Sequence, residues 1–98
     1  MLTKDDMLVA LHDAITEDQE FELADEIVDA MEAYPQPFDL VDPVLDFISK
    51  HPEVDFGAPG ELVHFVERFY HQGYEELLME SVLKSPTVYN IWMLHRCY

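Results

Sequence analysis

Positive charge is scarce in this sequence. Its 98 residues include five Lys and Arg against 21 Asp and Glu, a formal charge of −16 with the five histidines neutral. Binding DNA or RNA draws on basic side chains that neutralise phosphates and release counterions, and five scattered ones cannot form that footprint. Direct nucleic-acid binding is therefore excluded, and a basic partner is expected. Cysteine is confined to Cys97, so no internal disulfide can form. With no signal-peptide pattern at Met1–Asp6, the expected compartment is the cytoplasm. No run approaches the roughly 18 apolar residues of a membrane span, so no membrane role is expected. What the sequence does hold argues against disorder: 49% of residues are apolar and 12% aromatic, too many for a solvated acidic tail. Its length suits one hydrophobic core, and we expect residues 1–98 to form a single helical domain.

Apolar spacing is helical almost throughout, with no clean period-two alternation bounded by hairpin turns. An all-α fold of about six short helices follows, arranged as antiparallel hairpins in a compact bundle or a HEAT-like stack. Thr3 with Asp6 is a capping-box-like pair and opens a first helix that buries Leu8, Leu11 and Ile15. Thr16 with Gln19 repeats that signal and predicts a second helix to about Ala33, ended by Pro35 and Pro37. A third is expected over about Phe38–Ser49, with Val41, Val44, Leu45 and Ile48 inward and Pro43 tolerated in its first turns. After the Pro- and Gly-containing segment His51–Gly60, Pro59 starts a fourth helix bearing Leu62, Phe65, Val66 and Phe69, with Gly73 as its C-terminal cap. Tyr74 to about Lys84 forms the fifth, stopped by Pro86. The last begins near Thr87 and carries Val88, Ile91, Trp92, Met93 and Leu94 on nearly every side, which predicts burial all round. Such a helix needs cover, so we expect either that it lies at the centre of the bundle or that the native chain continues beyond residue 98.

The charge is unevenly placed. Residues 1–56 hold 16 acids and two bases, a balance of −14, whereas residues 57–98 hold five acids and three bases, a balance of −2. An acidic half therefore caps an apolar, nearly balanced one, and such asymmetry points to an interaction surface. In the predicted second helix Asp18, Glu22, Asp25, Asp29 and Glu32 follow steps of 4, 3, 4 and 3, which would align five carboxylates on one side, with Glu26 beside them. Like charges at those steps repel by roughly 0.2–0.5 kcal/mol per pair. Asp39, Asp42 and Asp46 repeat the arrangement in the third helix. Solubility alone is the plain explanation for such faces. An ordinary soluble helix, however, intersperses lysines at these steps, and this one has none. A cationic partner accounts for the pattern better. Tyr34, beside two prolines and next to the acidic helix, is expected as an exposed anchor, since tyrosine is enriched at interface hot spots.

Catalytic and metal-binding patterns are missing. There is no Cys pair, no His-Glu-x-x-His and no twelve-residue calcium loop, so no metal is expected. His64 and His71 would face the same way on one helix but two turns apart, too far for one ion; His12, His51 and His95 are isolated from one another in sequence. No Gly-x-Ser-x-Gly or Ser-x-x-Lys is present, and nothing in a carboxylate stripe singles out an acid or a base. No catalytic residue and no cofactor are expected.

The stretches Asp55-Phe-Gly-Ala-Pro-Gly-Glu-Leu-Val-His64, Gly73-Tyr-Glu-Glu-Leu-Leu78, Pro86-Thr87 and Trp92-Met-Leu94 resemble small helical bacterial immunity proteins of toxin–antitoxin or contact-dependent inhibition systems. The resemblance covers roughly residues 53–96 and consists of turn, cap and core positions. It implies an inhibitor that binds its cognate toxin and performs no chemistry. The acidic half lies mostly outside the match, where a partner-specific surface would vary. Together, charge and resemblance lead us to expect a basic toxin partner, a nuclease domain, met by Asp18, Glu22, Asp25, Glu26, Asp29, Glu32, Tyr34, Asp39, Asp42 and Asp46. The alternative is a helical adaptor or dimerising fragment that uses the apolar C-terminal face.

Overall fold

In a computed structural model, described here over residues 2–57 and 60–97, the chain forms six α-helices. Met1, Ala58, Pro59 and Tyr98 lie outside the described residues, and with them the expected start of the fourth helix at Pro59 and the chain end at Tyr98. The helices are α1 (Lys4–Asp13), α2 (Asp25–Glu32), α3 (Val41–Lys50), α4 (Glu61–Glu67), α5 (Tyr74–Lys84) and α6 (Val88–Cys97). A 3₁₀ turn, Pro37–Leu40, leads into α3. No strand occurs among the described residues, where β pairing is limited to isolated bridges. The Cα radius of gyration, 12.5 Å, is that of one compact unit; a folded domain of this length has about 13 Å.

Helix α3 is the hub. Val41, Val44, Leu45, Phe47 and Ile48 are all buried, so it is apolar over most of its circumference and touches α1, α4, α5 and α6. The arrangement is thus a bundle around one short helix and not a linear stack. The expected hairpin order holds for α5 and α6, which pack on each other, whereas α4 lies mainly against α2 and α3. No helix among the described residues is long and apolar enough to cross a membrane.

Thr3 does cap α1: its hydroxyl accepts from the Asp6 amide at 3.0 Å, and its own amide donates to the Asp6 carboxylate at 3.1 Å. The second start signal is not used. From Ala14 to Ala24 the chain makes a turn and a bridge between Ile15 and Phe21, and α2 begins only at Asp25. Two local facts exclude the longer helix. Gln19 has φ of +62°, outside the helical region, and its carbonyl accepts from the Asp55 amide at 2.8 Å, a bond to a distant segment. The Thr16 hydroxyl accepts from the Glu20 amide at 3.1 Å and shapes the turn instead of capping a helix. The reward for leaving the helix is aromatic packing, because Phe21 reaches Phe56 and Phe47 with ring centroids 5.1 and 6.1 Å away.

Helix α4 also ends early. Phe69 follows it in the turns that lead to Gly73 and packs edge-on against Phe38 and Phe65. Gly73 is therefore not the cap of α4. It has φ of +112° immediately before α5, and a Cβ there would stand 3.1 Å from the Phe38 ring, which leaves glycine as the fitting residue. His71, with φ of +68°, lies in the same turns, so it does not share a helix with His64.

Burial of α6 on every side is also overturned. Its inward residues are Asn90, Met93 and Cys97, while Val88 is 90% and Ile91 40% exposed. Among the described residues Asn90 is the one buried polar or charged residue outside the apolar core set, and both ends of its side-chain amide are hydrogen-bonded. Its Oδ1 accepts from the Thr87 backbone amide at 2.8 Å, its Nδ2 donates to the Ser85 carbonyl at 2.9 Å, and its backbone amide donates to the Thr87 hydroxyl at 3.0 Å. This clamp sets the Ser85–Thr87 turn and hence the angle at which α6 returns along α5.

Candidate acidic interface

Because α2 starts at Asp25, the nominated carboxylates do not form one helical stripe. Asp25, Glu26, Asp29 and Glu32 belong to α2, whereas Asp18 and Glu22 stand on the preceding loop. All six are exposed, as are Asp39 on the 3₁₀ turn and Asp42 at the start of α3. Asp46 is half-buried and pairs with Lys50 at 2.8 Å. Glu32 pairs with Arg68 at 3.2 Å. Asp42 and Asp46 line a small groove of about 130 Å³ together with Leu77, Glu80 and Lys84 from α5. Tyr34 is half-buried, packed against the core beside Leu2, Ala30 and Ala33, so it is not a freely exposed anchor. Of the two prolines beside it, Pro37 opens the 3₁₀ segment.

The loop assembles a feature that spacing alone did not reveal. A bridge between Glu20 and Asp55 brings the acidic loop beside the Asp55–Gly57 turn. Between them opens a groove of about 440 Å³ lined by Glu20, Glu22, Asp55 and Glu61, with Phe21, Leu23 and Phe56 supplying apolar wall. No lysine or arginine is among its lining residues. Asp55 is oriented by the Gly57 amide, which donates to its Oδ1 at 2.9 Å. Gly60 completes the rim, and there a Cβ would collide with the Phe56 carbonyl. A groove lined by four acidic residues and by apolar side chains suits a lysine or arginine, whose methylenes lie on apolar surface while the head meets the acids.

Comparison of the chain with known families, characterised proteins and solved structures finds no match.

Of the groove's acids only Glu22 was nominated from sequence. Glu20, Asp55 and Glu61 were missed because the loop conformation that gathers them depends on the contact between Gln19 and Asp55. A second cluster missed in sequence is the pair His12 and His51, whose ring centroids are 5.0 Å apart. One ion pair on the opposite half is closed within the fold. Arg96 holds Glu67 through two bonds of 2.6 and 3.0 Å and stacks over Trp92 at 5.2 Å. Burial raises the Cys97 thiol above its usual range, which keeps it protonated and inert.

Proposed function

We propose that this chain is an immunity protein that binds a basic toxin, a nuclease domain, in the cytoplasm and neutralises it by occlusion, without chemistry of its own. Carboxylates of the first half would stand where nucleic-acid phosphates stand on the toxin. The observation that carries this proposal is the set of exposed acids left without a basic partner. Of the nine nominated carboxylates only Glu32 and Asp46 pair with a lysine or arginine among the described residues. Such a surface speeds encounter with a cationic partner and selects for it. The groove around Glu20, Glu22, Asp55 and Glu61 adds a socket for one basic side chain, and a bidentate arginine there would give geometric selectivity.

The test is to replace Glu22, Asp25 and Asp29 with serine and measure association with a basic nuclease domain across a salt series. We expect a slower on-rate and a weaker salt dependence. An unchanged on-rate and salt slope would remove the electrostatic basis.

One observation favours the second possibility, a helical adaptor or dimer that uses the C-terminal face. Leu83 and Val88 flank the α5–α6 turn at 76% and 90% exposure, apolar surface that pairing with a partner or a second copy would remove from water. Sedimentation separates the two: a monomer at all concentrations counts against dimerisation, and a dimer abolished by Val88→Ser supports it.

A further inference from the structure

We propose that His12 and His51 form a chelate for a borderline divalent transition metal such as Zn²⁺, with water completing its coordination. The two residues lie far apart in sequence, yet their rings meet at 5.0 Å between centroids with planes 76° apart. Two imidazoles sharing one tetrahedral ion have a comparable separation: metal–nitrogen bonds of about 2.0–2.1 Å place the centroids about 5 Å apart. His51 is already oriented as metal-bound histidines usually are. Its Nδ1 lies 2.7 Å from the Phe47 carbonyl, which requires the proton on Nδ1 and leaves the Nε2 lone pair free. The Phe47 ring, 4.4 Å from His51 and 5.1 Å from His12, backs both imidazoles and restricts their rotation.

Backbone electrostatics favour a cation at this place. His12 lies in the last turn of α1 and His51 is the C-terminal cap of α3, so two negative helix ends converge on the pair. His12 is exposed and gives the ion an entry path. No group of three or more His, Cys, Asp or Glu among the described residues could hold a metal, which is why water must supply the other positions. Imidazole nitrogen selects Zn²⁺, Ni²⁺ or Cu²⁺ over Mg²⁺ and Ca²⁺, which prefer oxygen. A bound ion would tie the end of α1 to the end of α3 at the root of the acidic loop.

The experiment is a calorimetric titration of the metal-free protein with Zn²⁺ in the presence of excess Mg²⁺, which occupies the surface carboxylates. We expect one ion per chain, and at least a tenfold loss of affinity in His12→Ala and in His51→Ala. His64→Ala, an exposed histidine on α4, should bind as the parent does. In parallel, the ring protons of His12 and His51 in the unaltered protein should shift together on adding Zn²⁺, a readout independent of how the variants fold. Absence of saturable binding at submillimolar Zn²⁺, affinity that survives both substitutions, or shifts confined to other histidines would overturn the proposal.

Discussion

Tyr74→Phe should stabilise this protein, against the usual sign of that substitution. The Tyr74 side chain is 0% exposed, yet its hydroxyl has no hydrogen-bond partner among the described residues. The nearby Cys97 thiol is at best a weak acceptor. Burial raises the phenol's pKa far beyond the ordinary tyrosine range, so the group is a neutral donor with nothing good to donate to. An unpaired buried hydroxyl costs roughly 1–3 kcal/mol, while the ring's packing is common to both residues. Removing the oxygen leaves a gap next to a groove that Glu67, Tyr70, Arg96 and Cys97 already line, and this offsets part of the gain. We expect a net gain of about 1 kcal/mol. For a urea m-value of about 1 kcal/mol/M, the midpoint should rise by about 1 M with m unchanged. The melting temperature should rise by roughly 4–8 °C. A variant less stable than the parent by about 1 kcal/mol, as when a tyrosine hydroxyl loses a good hydrogen bond, would refute the reasoning.

Asn90→Ala removes the two hydrogen bonds of its side chain and leaves the Thr87 amide and Ser85 carbonyl without them, while its backbone amide still reaches the Thr87 hydroxyl, so chemical denaturation should report a loss of about 1–2 kcal/mol. High pH should destabilise the fold in a defined window. Burial raises both Tyr74 and Tyr89, so unfolded tyrosines ionise near pH 10 while the folded ones keep their protons. Stability is then full below about pH 10 and falls above it, by up to roughly 1.4 kcal/mol per pH unit for each tyrosine. Tyr74→Phe should remove one tyrosine's share of that slope, and a slope unchanged by the substitution would contradict the assignment. Leu83→Ser and Val88→Ser should change folding stability by less than about 0.5 kcal/mol, because both sites are exposed.

Helix number and class were legible in the sequence because apolar residues recur at helical spacing in most segments, and α5 lies where Tyr74, Lys84 and Pro86 put it. The first cap was legible because a capping box is local: Thr3 and Asp6 need only each other. Where the reading departed from the fold, a distant partner decided. Thr16 and Gln19 look like a helix start until Asp55 takes the Gln19 carbonyl and Phe56 takes the Phe21 ring. Phe69 keeps helical spacing but packs from a turn, because Phe38 and Phe65 approach it there. In α6 apolar composition was mistaken for burial, although Asn90 is inward and Val88 outward. The site divides the same way. Exposure of the acids followed from their chemistry, whereas the groove and the two-histidine pair needed contacts between segments.

The fold itself accounts for some of the acids, which sharpens the list of those a partner would have to explain. Asp25 and Glu26 occupy the first turn of α2, Asp39 that of the 3₁₀ segment and Asp42 that of α3, where a negative charge complements the helix dipole. Glu32 and Asp46 have Arg68 and Lys50. What remains is Asp18 and Glu22 on the loop and Asp29, which on α2 follows Asp25 and Glu26 at the repelling steps of four and three. The side chains of these three make no hydrogen bond or ion pair among the described residues, so replacing them with serine should leave stability unchanged or raise it by a few tenths of a kcal/mol as repulsion is relieved. Asp25→Ser with Asp42→Ser should instead cost about 0.3–1 kcal/mol at each site. Association with a basic nuclease domain should show the reverse weighting, with the first set slowing the on-rate more than the second. If Asp18, Glu22 and Asp29 prove necessary for stability, their charge is structural and the case for a surface kept for a partner fails.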